Sequence, residues 1–219
     1  MNDFPILFEW DLDTAGYTAG PEAQAVTPGR RRRITAQDAA PKVLWPRGGP
    51  PQQRRPLDKF PHLFLYFAQL ELTAQACVDF ADRYGPLTRA GNTEGEYLEK
   101  WFREIQWMRS AVELATEDLA EAVRRLVGGP GTKLAGVIDL APPDERAVLG
   151  LVPEDLAEAM RLQLLLAVAN GWPLQRCARC AKWFESGRGA AATRRSGARF
   201  CSDHCRAAHN NAQRTTLEA

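Results

Sequence analysis

Between residues 57 and 173 the apolar positions recur every three to four residues, the spacing that lines one face of a helix. Leu63, Phe64, Phe67, Ala68 and Leu70 form one such face, beginning after Phe60. Ala76, Cys77, Phe80, Ala81 and Tyr84 form a second, entered through Thr73 and stopped by Gly85-Pro86. The longest helix is predicted over residues 94–127, with Thr93 and Glu96 at capping-box spacing. Its stripe runs through Tyr97, Trp101, Ile105, Met108, Val112, Leu119, Val123 and Leu126, and Trp107 stands off it as the one aromatic free for a pocket or a partner. Pro153 opens a last helix of this region, which runs through Leu164-Leu165-Leu166 to Asn170-Gly171. Its second half is apolar on nearly every side, which predicts the central helix of the core.

Strand signals are fewer. The apolar run passing into alternation over Phe4–Asp13 predicts a strand at 6–12, and Arg30–Thr35 is read as its returning partner. Residues 41–61 hold six prolines and the Gly48-Gly49-Pro50-Pro51 turn, so they read as a linker or wrapping arm. A further short strand is read at 133–140. The fold class expected is mainly α: a helical bundle with a small N-terminal β-hairpin and a C-terminal zinc finger. The domains expected are 1–56 (hairpin and Pro/Arg-rich arm), 57–173 (helical domain) and 174–219 (finger).

Composition narrows the class. A chain of 219 residues with 45% hydrophobic side chains is neither collagen-like nor wholly disordered. The net charge of +1 hides segregation, because residues 1–26 carry −5, 27–56 +7, 57–173 −7 and 174–219 +6. Arg outnumbers Lys 23 to 5, a bias that genome composition explains, whereas the clustering needs another cause. The longest apolar stretch, Leu162–Ala169, is interrupted by Gln163 and too short to span a bilayer. Met1-Asn2-Asp3 carries acid where an export signal carries Lys or Arg. A cytoplasmic location without a membrane partner is expected.

The cysteines carry the chemistry. Cys177, Cys180, Cys201 and Cys205 follow the pattern C-x2-C-x20-C-x3-C, two close pairs returning to one point. Thiolates are soft ligands that suit zinc or iron, and four of them close a tetrahedron. One Zn2+ per chain is the expected cofactor, iron–sulfur the alternative. His204 or His209 is the alternative fourth ligand in place of Cys205. Trp183-Phe184-Glu185 and Ala198-Arg199-Phe200 are read as a hairpin, with Ser202 capping a terminal helix over 203–214. This order of knuckle, hairpin and helix resembles a treble-clef or zinc-ribbon finger. A segment of 46 residues is too short to fold without such a staple. Cys77, on a helix face, is read as a small core residue.

The run Cys177-x2-Cys180-x2-Trp183-Phe184, continued by Arg199-Phe200-Cys201-Ser202-x2-Cys205-Arg206, resembles the C-terminal zinc fingers of bacterial CGNR-class proteins. In that class a helical N-terminal region, called ABATE, precedes the finger. Phe80-Ala81-x-x-Tyr84-Gly85-Pro86-Leu87 is similar to a recurring helix end in such proteins. The resemblance implies a bacterial transcriptional regulator with a zinc finger. It covers residues 174–219 closely and the helical body in layout only. The Cys-Gly-Asn-Arg motif itself is absent, since Arg206-Ala207-Ala208 follows Cys205, so that motif's contacts do not carry over.

Two functions are weighed for the finger. DNA binding would use Arg188, Arg194, Arg195, Arg199, Arg206, Asn210, Gln213 and Arg214, with Arg176, Arg179 and Lys182 adding charge. Arg206, Asn210 and Gln213 share one helix face, and these side-chain types pair with guanine and adenine edges. The Arg30–Arg33 run would add a backbone or minor-groove contact. The alternative is a protein-interaction module docking on an acidic protein partner, on this chain's own acidic body, or in a homodimer. Catalysis is not expected. Gly128-Gly129-Pro130-Gly131-Thr132-Lys133 lacks phosphate-loop spacing and reads as a helix stop, and a closed four-cysteine site has no vacancy.

Overall fold

The computed structural model describes residues 6, 8–21, 42–60, 62–118, 120–122, 124, 136–139, 148–186 and 197–217. Strand β1 (Trp10–Asp13) pairs antiparallel with β4 (Pro51–Arg54). Strand β2 (Tyr17–Gly20) pairs with β3 (Val43–Pro46), whose other edge takes the two-residue β5 (Glu96–Tyr97). Helices α1 (Pro56–Lys59), α2 (Leu63–Ala68), α3 (Ala74–Tyr84), α4 (Leu98–Glu117) and α5 (Leu156–Ala169) build the rest of the body. Strands β6 (Gly136–Asp139) and β7 (Val148–Leu151) pair antiparallel. The chain closes with a hairpin of β8 (Leu174–Arg176) and β9 (Trp183–Glu185), then α6 (Asp203–Leu217).

The expected class, a mainly α bundle, is corrected by this arrangement. The described residues are 49% helical and 18% strand, a mixed α/β fold. Trp10, Leu12, Tyr17 and Leu44 from the strands sit in the same buried core as Phe64, Phe67, Phe80 and Trp101 from the helices. The physical reason lies in β4. Its sequence, Pro-Gln-Gln-Arg, is exposed throughout and has no apolar alternation. Backbone pairing with β1 makes it a strand, and hydrophobic periodicity cannot register that. Asp13 ties the two turns together, accepting from the N–H groups of Ala15 (2.8 Å), Gly48 (2.7 Å) and Gly49 (2.9 Å). The expected partner of β1, Arg30–Thr35, lies outside the described residues.

The helices differ from expectation mainly at their ends. Thr73 caps α3 as read, accepting from Ala76 N–H at 3.2 Å. Helix α4 starts at Leu98 rather than residue 94, because Glu96 is in β5, opposite Leu44. Gly95, at φ +76, makes the bend before it, where a Cβ would meet the Leu44 carbonyl oxygen at 2.9 Å. Glu96 caps nothing. Buried at 4% exposure, it accepts from Leu87 N–H (2.8 Å), Thr88 N–H (2.7 Å) and Trp101 Nε1–H (2.9 Å). Helix α4 ends at Glu117, where extended Asp118 interrupts the helical backbone. Residues 120–122 and 124 are helical again, while Leu119, Val123 and Leu126 lie outside the described residues. The reciprocal cap belongs to α5. Asp155 accepts from Glu158 N–H at 2.8 Å, and Glu158 accepts from Glu154 N–H at 2.7 Å. Helix α5 therefore starts at Leu156, three residues after Pro153, and its near-continuous burial matches a central core helix.

Trp107 is half-buried beneath the guanidinium of Arg161, 4.8 Å from its ring centre, and Arg161 pairs with Glu104 at 2.5 Å. Cys77 is fully buried, and burial pushes its thiol up to about 12. Among the described residues no helix is long and apolar enough to cross a membrane.

Candidate metal centre

A C-x2-C turn reverses the chain, so the strands on either side of it are already antiparallel neighbours. Strands β8 and β9 are those flanks, in register Leu174 opposite Glu185 and Arg176 opposite Trp183. Cys177 N–H donates to the Lys182 carbonyl at 2.9 Å, and Ala181 N–H donates to the Cys177 carbonyl at 2.9 Å. Ala181 has φ +58, a left-handed backbone rare outside glycine, which closes the knuckle. The expected hairpin between Trp183–Glu185 and Ala198–Phe200 is therefore corrected: β9 pairs with β8, and residues 198–200 are not a strand.

The second cysteine pair is set by a helix cap. Ser202 Oγ accepts from Cys205 N–H at 3.1 Å, and its carbonyl accepts from Arg206 N–H at 3.2 Å. Ser202 thus acts as the N-cap read from the sequence, leaving Cys201 just before α6 and Cys205 in its first turn. Ala178 N–H donates to the Arg199 carbonyl at 2.9 Å, which ties the knuckle to the segment leading into Cys201.

The four sulfurs of Cys177, Cys180, Cys201 and Cys205 all lie within 4.8 Å of one another, close enough to hold a metal ion. Cys201 Sγ lies 3.6 Å from both Cys180 Sγ and Cys205 Sγ. Sulfurs about 2.3 Å from a central zinc ion define a tetrahedron with edges of about 3.8 Å. The two edges at Cys201 fit that frame. Burial opposes ionisation of Cys177, but the N–H groups of Cys180, Cys201 and Arg179 outweigh it, and its thiol falls to about 6. Burial and the three neighbouring thiols push Cys201 up to about 12. Four thiols this close cannot all ionise against one another, and a central cation removes the conflict. The alternative histidine ligands are placed differently. His204 is exposed, and the His209 ring packs on Phe200 at 5.0 Å.

The finger is fastened to the body by residues the sequence reading missed. Gln69, just after α2, donates from Nε2 to the Trp183 carbonyl at 3.3 Å and accepts from Trp183 N–H at 2.9 Å. Glu113 on α4 pairs with Arg176, whose guanidinium also lies 4.6 Å from the centre of the Trp183 ring. His62 Nε2 meets Glu185 Oε2 at 3.0 Å, with the Glu185 side chain only 4% exposed. Burial raises the Glu185 pKa, partly offset by His62. The only sequence signal for this joint was Glu185, an acid in a basic segment.

The residues read as nucleic-acid contacts are dispersed. Arg206, Asn210 and Gln213 are exposed on α6, with Arg206 3.1 Å from Asp203. Arg199 is exposed beside Phe200. Arg188, Arg194 and Arg195 lie outside the described residues, and Arg214 falls within α6 without a described side chain. Arg176, Arg179 and Lys182 are all exposed, and Arg176 pairs with Glu113 of the body.

Comparison with known proteins found no matching family model, no matching curated protein and no matching solved structure. The functional reading therefore rests on the site itself.

Proposed function

We propose that the four cysteines hold one zinc ion, and that the finger built on it is the DNA-binding element of a transcriptional regulator whose body senses a ligand or a partner. The observation that carries the reading is α6. Its first turn is pinned by Cys201, Ser202 and Cys205, and Arg206, Asn210 and Gln213 stand exposed along one face beyond it. None of the described residues of α6 belongs to the buried core. A rigidly seated, outward-facing helix with Arg, Asn and Gln on one face suits entry into a major groove. The basic charge of residues 174–219 supplies attraction to phosphate, reduced from +6 to about +4 once four thiolates and a divalent cation are counted. Zinc is favoured over a multi-iron cluster because sulfurs within 4.8 Å leave room for a single ion.

The test is fluorescence anisotropy of zinc-loaded protein with a random-sequence duplex, titrated across salt. The reading expects micromolar binding at low salt that weakens steeply as salt rises. Arg206→Gln should weaken it. No binding at low salt with zinc bound sinks the DNA reading and leaves the protein-interaction module, whose sign is a nuclease-insensitive acidic partner.

A further inference from the structure

A second concavity lies away from the cysteines. It encloses about 540 Å³ between β1, β4, the end of α3 and the segment after α1. Its lining is of two kinds. Trp10 and Tyr84, both buried, and the partly exposed Phe60 form its aromatic floor, and Arg54, Arg55 and Arg83 stand at its rim, with no acidic side chain among the lining residues.

The three arginines differ in how they are occupied. Arg55 pairs with Glu9 outside the cavity. Arg54 donates from Nε (3.1 Å) and a terminal nitrogen (2.8 Å) to the neutral Gln52 side chain. Arg83 lies 5.1 Å from the Phe60 ring centre and 5.3 Å from that of Tyr84. Among the described residues neither Arg54 nor Arg83 has a carboxylate partner. Two such cations beside one concavity repel each other unless an anion joins them.

The ring floor is firmly held. Trp10 is 1% exposed, donates from Nε1 to the Pro86 carbonyl at 3.1 Å and stacks on Phe8. Gly85, at φ +95, lets the chain pass it where a Cβ would stand 2.6 Å from the indole. The volume is that of a small-molecule site. Guanidinium groups bind carboxylate and phosphate in bidentate fashion and stack on flat rings. We infer that this cavity binds a small planar aromatic anion, with its ring against the partly exposed Phe60 and its acid group between Arg54 and Arg83. The inference shares no residue with the metal centre and does not depend on DNA binding.

Isothermal titration of the full chain with naphthalene-2-carboxylate and with 2-naphthyl phosphate tests this. One saturable site per chain is expected, and the tighter probe names the acid group. Neutral 2-naphthol should bind at least ~10-fold more weakly, because it leaves the guanidinium groups unmatched. Arg83→Gln and Arg54→Gln should each weaken binding by ~10-fold, while Arg103→Gln, the same charge change elsewhere on the surface, leaves it unaltered. Both cavity arginines are exposed, so melting curves of the variants should match the parent, and either variant alone decides the matter if the other unfolds. The inference is overturned if neither naphthyl anion binds, if 2-naphthol binds as tightly, if inorganic phosphate alone binds as well, or if both variants keep full affinity.

Discussion

Gln69 and Trp183 form a two-way bond across the joint between body and finger. The Gln69 side-chain oxygen takes the Trp183 N–H at 2.9 Å, and its side-chain amide reaches the Trp183 carbonyl at 3.3 Å. One side chain thus completes β9 on the edge facing α2, much as a further strand would. Gln69→Ala removes both bonds and leaves Trp183 N–H without them. The expected cost is about 1–3 kcal/mol, concentrated in the finger. Hydrogen exchange checks it: the Trp183 amide should lose protection while amides of α4 keep theirs.

His62 and Glu185 form the second fastening. Glu185 is nearly fully buried, so His62→Ala, which removes its partner across the joint, is expected to cost about 1–3 kcal/mol. Replacing both with apolar residues of similar size should recover much of the loss, since a buried polar pair can be exchanged for packing. A double-mutant cycle in urea measures this, and additive single effects would contradict the coupling.

Glu96 organises the bend between the 3-10 turn Arg89–Asn92 and α4 through four donors, Leu87 N–H, Thr88 N–H, the Thr88 hydroxyl and Trp101 Nε1–H. Glu96→Ala removes the acceptor of all four, with an expected loss of about 3 kcal/mol or more and a changed Trp101 emission. Burial raises the Glu96 pKa above its ordinary value of 4.5, although bonds from Thr88 and Leu87 oppose the shift. The folded state therefore holds this proton more tightly than the unfolded chain. Stability drawn from Glu96 is fullest below 4.5 and falls as pH rises through the raised value. Glu96→Gln should flatten that part of the pH–stability curve, as measured by melting from pH 4 upward.

The sequence revealed the four-cysteine cluster because its chemistry is local. Two close cysteine pairs at zinc spacing, and a serine three residues before Cys205, need no tertiary context to be read. The helical stripes through Phe64, Phe80 and Trp101 were legible for the same reason. Three features were not. Strand β4 exists through backbone pairing with β1, and Pro-Gln-Gln-Arg carries no pattern of burial. Glu96 looked like a cap because it stands three residues after Thr93, yet Gly95 bends the chain and sends the carboxylate to Leu87 and Thr88. Gln69 and Glu113 meet the finger across long sequence separations, which periodicity does not record.

The cysteines should separate by role. Cys201→Ser is expected to unfold the finger while α2 to α5 persist, because the body has a core of its own. Limited proteolysis should then cut within residues 174–219 and spare the rest. Cys77→Ala should cost about 1 kcal/mol by emptying a small buried volume, and leave metal content unchanged. Release of the finger by chelator from the Cys77→Ala variant, as from the parent, checks that distinction.

Cys177, Cys180, Cys201 and Cys205 lie close enough together to hold one metal ion. Native mass spectrometry of the purified full chain tests it most directly. The predicted result is a mass increase of one zinc ion per chain with all four thiols deprotonated, absent from Cys201→Ser. A chain that stays metal-free in the presence of zinc while its finger remains folded would contradict it.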